Sequence, residues 1–218
     1  MRPTMKEVTS HAPRKTGRAL RKSQSRSALI HAAAELFAEL GYADTTMQAV
    51  AARAKLHVQT LYKHFPNKEA LAIAPERDLL ERFTVAMQRK DPETSFSSFW
   101  REWVCVSATR TQNDFRDGQL QRLQTTLRVP AVVGHARAIS NEYLDLLEIG
   151  LAEELQVDTN SSRYPRLFAG MLWEANNSAT AIWARNPASG NLVKEITGGI
   201  DDVRRLISLW QAANSFDD

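Results

Sequence analysis

Residues 58–64, the run VQTLYKH, carry side chains whose types and spacing suit contact with nucleic acid. The amide of Gln59 can pair with adenine through two hydrogen bonds, and the methyl groups of Val58 can contact the methyl group of thymine. Hydroxyl, phenol, ammonium and imidazole groups in the same run can bind base edges or phosphate oxygens. The run therefore predicts a segment that contacts DNA, with four further candidate residues: Thr60, Tyr62, Lys63 and His64.

A series of short helices is predicted to hold this run in place. Apolar residues recur at spacings of three and four from Leu29 to Leu40, which indicates an amphipathic helix that Gly41 ends. Thr45 is the expected N-cap of a second helix. A third helix is expected to begin about three residues after the second one ends, and Asn67 is the expected N-cap of a fourth. Two helices joined by such a short turn form the helix-turn-helix pattern, whose second helix enters the major groove.

This stretch, residues 25–71, resembles the DNA-binding domain of the TetR family of bacterial transcriptional regulators. Two positions depart from the family pattern, which commonly has Gly in place of Lys55 and Ser or Thr in place of His57. Lys55 must then adopt a turn conformation that glycine enters freely, at a cost of about 1 kcal/mol. His57 is a weaker N-cap than Ser. The residues that carry the resemblance are Ala33, Leu36, Phe37, Gly41, Tyr42, Thr45, Thr46, Val50, Ala51, Ala54, Thr60, Leu61, Tyr62, His64, Phe65, Lys68, Glu69, Ala70 and Leu71.

The resemblance and the geometry of such domains imply which side chains meet DNA. Amide groups at the start of the second helix, together with the Thr46 hydroxyl, are expected to bind a phosphate. By resemblance, Tyr62 and Lys68 are expected to contact phosphates. Lys63 or His64 is expected to do so from the same helix as Tyr62. Residues near the start of the third helix are expected to meet base edges: Val58, Gln59 and Thr60.

Charge is distributed unevenly along the chain, whose formal net charge is +3. Residues 1–68 contain 12 Lys and Arg against 4 Asp and Glu, whereas residues 69–218 contain 16 against 21. The basic end coincides with the helix-turn-helix, as attraction to phosphate requires. Residues 1–24 are predicted to be a disordered basic arm. Two interpretations of the arm stay open: it lies along phosphates or in a minor groove, or it is a solvated tail that adds only nonspecific attraction.

Residues 72–218 are predicted to form a second, wholly helical unit, so the expected fold class is all-α. Pro75 lies inside the pattern of the fourth helix and is expected to kink it. By resemblance, this unit binds a small-molecule effector and forms the homodimer. Its further helices are predicted over residues 95–110, 118–129, 130–155 and 163–186, and from about residue 196 to 210.

Candidate residues for both roles come from aromatic content and helical spacing. Five tryptophans, all after residue 99, suit a cavity for a small apolar or aromatic molecule. An ordinary apolar core is the alternative interpretation of each residue in either set. The candidate effector-binding residues are Phe99, Trp100, Trp103, Met171, Trp173, Asn176 and Asn177. The candidate dimer-interface residues, on the last two long helices, are Ala179, Ile182, Trp183, Ile200, Val203, Ile207 and Trp210.

Several classes of protein find no support in the sequence. No apolar run approaches the roughly 20 residues that span a bilayer, and the N-terminus lacks the apolar segment of a secretion signal. The single cysteine, Cys105, fits a reducing cytoplasm. No catalytic motif appears, and no His or Cys pair has metal-ligand spacing. Neither an enzyme activity nor a cofactor nor a metal is therefore expected.

The sequence is interpreted as that of a cytoplasmic, homodimeric regulator that binds a double-stranded DNA operator. A small-molecule effector of unknown identity is expected to release it, and repression is the expected outcome of operator binding. One alternative stays open: a helical ligand-binding or dimerisation protein whose helix-turn-helix no longer reads specific DNA. The departures at Lys55 and His57 are the observation behind that alternative.

Overall fold

The computed structural model of the chain describes residues 17–113, 128–186 and 190–214. All regular secondary structure in these ranges is helical, which confirms the expected all-α class. Nearly all of the helix predicted over residues 118–129 lies outside the described residues. The helices are α1 (Gly17–Asp44), α2 (Met47–Arg53), α3 (Val58–His64), α4 (Lys68–Ala72), α5 (Ala74–Gln88), α6 (Phe96–Asn113), α7 (Pro130–Leu155), α8 (Tyr164–Arg185) and α9 (Leu192–Asn214).

The N-terminal helices, α1 to α4, pack around a small apolar core. Burying one aliphatic or aromatic side chain stabilises the fold by about 1.5–3 kcal/mol relative to leaving it exposed. A few such side chains therefore suffice to fix how α3 is turned against its neighbours. The buried side chains that line this core include Leu29, Phe37, Val50, Leu61 and Leu71.

Helix α1 begins well before its amphipathic pattern does. A disordered arm was predicted over residues 1–24, but residues 17–24 form the first two turns of α1. That part of the prediction is wrong. Ala, Leu, Arg, Lys and Gln in this run are good helix formers, and the packed part of α1 already supplies the helical nucleus that is costly to form. Residues 1–16 of the predicted arm lie outside the described residues.

The end of α1 and the start of α2 are set by local backbone chemistry. Gly41 interrupts the helical backbone with a φ of 82°, as predicted. Thr46, and not Thr45, caps α2, because its side-chain oxygen accepts a hydrogen bond from the Ala49 amide at 3.1 Å. Thr45 is buried, and its hydroxyl donates to the Gly41 carbonyl at 2.8 Å. The sequence pattern alone does not separate these two neighbouring threonines.

The turn between α2 and α3 contains both departures from the family pattern. Lys55 adopts the left-handed conformation with a φ of 55°, as expected. Its amide donates to the Ala52 carbonyl at 3.0 Å. His57 occupies the N-cap position of α3 without a side-chain hydrogen bond to the helix. The helix-turn-helix geometry is thus kept, at a cost of about 1–2 kcal/mol for the non-glycine residue in this conformation.

The chain divides at Ile73, and it does not kink at Pro75. Helix α4 ends at Ala72, whereas α5 starts at Ala74 with Pro75 in its first turn. Proline is favourable there because the first amides of a helix have no intrahelical acceptor. The prediction of a kink inside one long helix is therefore wrong, and a boundary between two helices takes its place.

The C-terminal body consists of α6, α7, α8 and α9, which pack on one another, with α5 lying along α7. Its buried core includes tryptophan side chains and a row of aliphatic ones. None of the helices within the described ranges is long and apolar enough to cross a membrane. The fully buried core residues include Trp100, Leu147, Leu151, Leu172, Ile196 and Ile200.

Two ion pairs fasten α5 to the helices on either side of it. Asp78 pairs with Arg26 of α1. Its neighbour Arg77 pairs with Glu142 of α7 at 2.5 Å. Because Arg77 and Asp78 are adjacent, the N-terminal core and the C-terminal body are both tied to the same turn of α5. Part-exposed ion pairs contribute on the order of 0–1 kcal/mol each to stability. The main effect of these two is therefore to fix the position of α5 relative to α1 and α7.

Candidate functional site

Helix α3 is seated by its apolar side and turns its polar side outward. Leu61 is completely buried, and Phe65, directly after the helix, is 3% exposed. On the opposite side, Gln59 and Lys63 are exposed one turn apart, and Tyr62 is 48% exposed. A helix held in this way presents the same side chains to a groove each time, which direct reading of base edges requires. Two further candidates at the start of the helix are half-buried: Val58 and Thr60.

His64 lies on the flank of α3 that faces α1. Burial lowers the pKa of its imidazole, and the positive charges of Lys22 and Arg26 lower it further. His64 is therefore neutral near pH 7, so it can donate one ring N–H to a phosphate but brings no positive charge. Arg26 also places its guanidinium 5.2 Å from the ring centroid of Phe65, which links α1 to the end of α3.

Thr46 is exposed at the start of α2. Its oxygen accepts the hydrogen bond from Ala49 that caps the helix, so the hydroxyl proton stays available to a group in front of the helix. The geometry is compatible with the predicted phosphate contact. The same hydroxyl would then serve both the helix cap and the DNA.

Lys68 has a different set of partners from the one predicted. Its ammonium donates to the carbonyls of Tyr42, Ala43 and Thr45, at 2.6, 3.0 and 2.9 Å. The nitrogen also lies 4.4 Å from the centroid of the Tyr42 ring. An ammonium has three N–H donors, and all three point at carbonyls where α1 ends. These internal hydrogen bonds fasten α4 to the end of α1, and the phosphate contact of Lys68 stays a prediction.

A second link between α1 and α4 lies beside the hydrogen bonds of Lys68. The Tyr42 hydroxyl donates to the Glu69 carboxylate at 3.0 Å. Burial and that carboxylate raise the pKa of the Tyr42 phenol, so the donor stays protonated. Sequence reasoning missed both links, because the residues that they join are separated by more than 20 positions and share no local pattern.

Four of the candidate effector residues meet in one aromatic cluster. Phe83 of α5 lies among them, with three rings of α6 at centroid distances of 5.2–5.9 Å. Tyr143 of α7 stacks on Trp173 of α8 at 4.7 Å and lies 5.3 Å from Phe83. The cluster thus joins four helices. Its α6 rings are Phe99, Trp100 and Trp103.

The other three candidates lie outside this cluster. Met171 is 40% exposed, and Asn176 and Asn177 are half-buried. The assignment of these three residues to an effector site stays a prediction. A cavity of about 580 Å³ lies elsewhere, near the α5–α6 loop, where polar side chains such as Lys90 and Arg204 line it. That lining does not match the apolar effector that the sequence predicted.

Two polar groups inside the aromatic cluster have no hydrogen-bond partner among the described residues. They are the indole N–H of Trp100 and the hydroxyl of Tyr143, on side chains that are 1% and 4% exposed. Burial raises the pKa of the Tyr143 phenol, which therefore stays protonated. A buried donor without an acceptor costs on the order of 1–3 kcal/mol. An acceptor atom of a ligand would remove that cost.

The predicted dimer stripe is mostly part of the core of a single chain. Ile200, Val203 and Ile207 are buried where α9 packs on α6 and α8, and Trp183 is buried as well. Trp210 is half-buried and lies 4.9 Å, between ring centroids, from Tyr164. All five side chains pack against helices of their own chain, and their assignment to a dimer interface stays a prediction. Of the remaining two candidates, Ala179 is half-buried and Ile182 is 65% exposed.

A different apolar face is exposed on the same two helices. On α8, Leu167 and Met171 are one turn apart, and Ile182 follows on the same side. On α9, Leu206 and Leu209 are 45% and 66% exposed. We call these five residues the outer apolar face. Two of the five were named from the sequence: Ile182 as a dimer-interface residue and Met171 as an effector residue. The others were missed because each helix also carries a more regular apolar stripe, which was assigned first.

Known proteins resemble this chain in sequence and in fold. Residues 29–74 match the model of the bacterial regulatory proteins of the tetR family. The chain is 25% identical over 188 residues to the HTH-type transcriptional regulator TcmR of Streptomyces glaucescens, a match that covers 80% of this chain and 79% of TcmR.

Solved structures share the fold, among them those of SmeT and FadR. SmeT of Stenotrophomonas maltophilia, in its complex with triclosan, has a TM-score of 0.67 and 21% identity, covering 84% of this chain and 90% of SmeT. FadR from Bacillus subtilis, in complex with stearoyl-CoA, has a TM-score of 0.60 and 21% identity, covering 81% of this chain and 96% of FadR.

The matched segment runs from Leu29 to Ala74 and contains α2, α3 and α4 entire, so it includes the seated helix with its exposed Gln59 and Lys63. This match confirms the expected resemblance of the segment to the DNA-binding domain of the family. The chain therefore carries an N-terminal helix-turn-helix domain of the kind found in the TetR family of bacterial transcriptional regulators.

Proposed function

We propose that this regulator acts as a homodimer in the bacterial cytoplasm and represses transcription by occupying a double-stranded DNA operator. One α3 helix per subunit enters the major groove, and a small apolar or aromatic effector in the C-terminal body releases the protein. Residues 25–71 serve as the DNA-binding unit and residues 72–218 as the effector-binding and dimerisation unit. The break between helices at Ile73 supports a boundary close to that position.

The proposal that α3 reads DNA rests on the fixed rotation of this helix about its own axis. With Leu61 and Phe65 buried, a rotation of about 100° per residue points Gln59 and Lys63 directly away from the core. In the proposal, Gln59 reads a base edge and Lys63 binds phosphate or a base. Half-buried residues at the start of α3 complete the reading surface, and residues on its flanks and at the start of α2 bind phosphates. These are Val58 and Thr60, and Tyr62, His64 and Thr46.

The outer apolar face supports the homodimer. Its five side chains are exposed on α8 and α9, two helices that pack on one another. Burial of each such side chain is worth about 1.5–3 kcal/mol. A second copy of the chain is the partner that DNA reading calls for, because a two-fold dimer presents two reading helices to two half-sites.

The aromatic cluster supports the effector site. A box of rings from four helices suits a planar apolar molecule, and the unpartnered Trp100 and Tyr143 groups favour one that carries a hydrogen-bond acceptor. Since the rings contact one another, the effector must separate some of them as it enters. Triclosan with SmeT and stearoyl-CoA with FadR are cases of small molecules bound by proteins of this fold.

The ion pairs around α5 offer a route from that cluster to α3. Tyr143 of the cluster is adjacent to Glu142, which holds Arg77 of α5. The next residue of α5, Asp78, holds Arg26, which also lies over the ring that ends α3. In the proposal, moving Tyr143 changes the angle of α5, and α5 shifts the reading helix between two states.

Selection of bound sequences from a random DNA pool tests the proposed DNA reading. We expect enrichment of an inverted repeat whose half-sites lie one helical turn, about 34–36 Å, or a multiple of it apart. Enrichment without two-fold symmetry would contradict the dimer. No enrichment over the input pool would favour a protein that binds ligands but has lost specific DNA reading.

A matched pair of ligands tests the proposed effector site. Fluorene and 9-fluorenone share a planar three-ring skeleton, and only fluorenone has a carbonyl oxygen. We expect fluorenone to quench tryptophan fluorescence and to bind roughly tenfold more tightly than fluorene, since it supplies the missing acceptor. Tyr143→Phe and Trp100→Phe should each reduce the difference in affinity between fluorenone and fluorene. Equal affinities of the two ligands for the unaltered protein would contradict the proposed acceptor.

A further inference from the structure

We infer that Arg18, Arg21 and Lys22, on the first two turns of α1, bind DNA phosphates beyond the groove that α3 enters. We call these three residues the basic rail. The inference rests on the proposed DNA binding and extends the contact surface past the helix-turn-helix. It assigns a partner to a segment that was predicted to be a disordered arm and is a helix.

The rail lies on a part of α1 that is not held in place by burial. Every residue from 17 to 24 is exposed, whereas the buried side chains of α1 begin at Leu29. Arg18 and Lys22 are also four residues apart on one face of the helix, where like charges repel and destabilise it by a few tenths of a kcal/mol. This charge ladder is unfavourable in the free protein. When an anionic partner binds, the same charges would stabilise the complex.

The charge of this segment is uncompensated. Residues 17–25 contain three basic residues, Arg18, Arg21 and Lys22, and no Asp or Glu. Arg53 of α2, by contrast, is held by the carboxylates of Glu35 and Glu39. No ion pair is formed by Arg18, Arg21 or Lys22 within the described part of the chain. The rail is thus a compact source of positive potential, which is the electrostatic footprint of a surface that binds phosphate.

The rail also lies next to the reading helix. The guanidinium of Arg26 is 5.2 Å from the Phe65 ring at the end of α3. Lys22, one turn earlier, is close enough to His64 for its charge to lower the pKa of that imidazole. At 1.5 Å per residue, Lys22 and Arg18 follow Arg26 in steps of about 6 Å along α1. With α3 in the major groove, His64 faces one bordering strand, and the rail continues outward from that border.

The salt dependence of DNA binding tests the rail. The double variant R18A/K22A is compared with R89A/K194A, which removes the same charge from exposed positions of the C-terminal body. The DNA is the operator selected with the unaltered protein, together with a scrambled duplex. Each lost phosphate contact reduces the slope of log affinity against log salt by about 0.9. Raising the salt from about 50 to 200 mM weakens DNA binding by some factor in the unaltered protein. We expect that factor to be roughly ten times smaller for R18A/K22A.

The rail variant should weaken binding to operator and to scrambled DNA alike, because phosphates carry no base information. The control should keep the slope of the unaltered protein. Equal slopes for the rail variant and the control would overturn the inference. Operator binding by the unaltered protein would survive that result, so failure of the rail and failure of the proposed function are distinguishable.

A second pair of variants separates a rail from a flexible basic tail. Ser23→Pro keeps every charge but breaks the helix between Lys22 and the packed part of α1, whereas Ser23→Ala keeps the helix. We expect Ser23→Pro to reduce the salt slope as R18A/K22A does, and Ser23→Ala to leave it unchanged. Circular dichroism and thermal unfolding check that both proteins fold. Binding of Ser23→Pro with the slope of the unaltered protein would show that helical placement is not needed, which contradicts the rail.

Discussion

Replacing Leu206 and Leu209 with glutamate is expected to give a folded monomer that has lost operator binding. Both side chains belong to the outer apolar face, and neither is part of the core of its own chain. In the proposed dimer these carboxylates would be buried without partners, which is strongly unfavourable. Losing the second reading head lowers affinity for a two-half-site operator on the order of 100-fold or more. Light scattering gives the mass, and fluorescence anisotropy gives the affinity.

Ile207→Ala is the matched control on the same helix. Ile207 is 1% exposed and faces the core of its own chain. Its truncation should lower the free energy of unfolding by about 2–5 kcal/mol and leave the protein dimeric. The proposed interface fails if L206E/L209E stays dimeric while Ile207→Ala becomes monomeric. That outcome would return the interface to the stripe that the sequence predicted.

Lys68→Met is expected to lower the free energy of unfolding by about 2 kcal/mol, without changing the salt dependence of DNA binding. The substitution keeps the length of the side chain but removes a charged group that donates to three carbonyls at the end of α1. Hydrogen bonds from charged groups contribute about 1.5–3 kcal/mol, and these carbonyls recover part of that from water. Urea unfolding measures the loss of stability.

Lys63→Met is the control for this substitution. Lys63 is exposed on α3, so its loss should leave stability nearly unchanged and reduce the salt slope by about 1. The opposite pattern would contradict the internal role of Lys68. A stable Lys68→Met protein whose salt slope falls by about 1 would restore the phosphate contact that the sequence predicted.

Features set by local chemistry could be predicted from the sequence. The sequence pattern identifies α2 and α3, and Gly41 interrupts the first helix where a break was expected. The turn conformation of Lys55 follows from its place between two helices, whatever its side chain. Local rules go wrong where two of them compete. Thr45 and Thr46 are equally good caps by type, and Pro75 suits the start of a helix as well as it suits a kink.

Contacts between distant residues could not be predicted from the sequence. Helical spacing finds the apolar stripe of Ile200 and Ile207, but it does not tell whether that stripe packs inside the chain or on a second copy. Likewise, the charge of Lys68 suits a phosphate or a row of carbonyls equally well until the end of α1 is placed beside it. The aromatic cluster was found by composition, whereas Phe83 and Tyr143, which join its rings, were missed because they lie on other helices.

The central claim is that α3 reads DNA with Gln59, while Tyr62 binds the backbone beside it. The most direct test is the affinity of Gln59→Ala and Tyr62→Ala for the selected operator and for a scrambled duplex at one stated salt concentration. Gln59→Ala should lose roughly tenfold on the operator and relax preference at one base step, with little change on scrambled DNA. Tyr62→Ala should weaken binding to both duplexes by the same factor. Equal losses of Gln59→Ala on operator and scrambled DNA would contradict the claim.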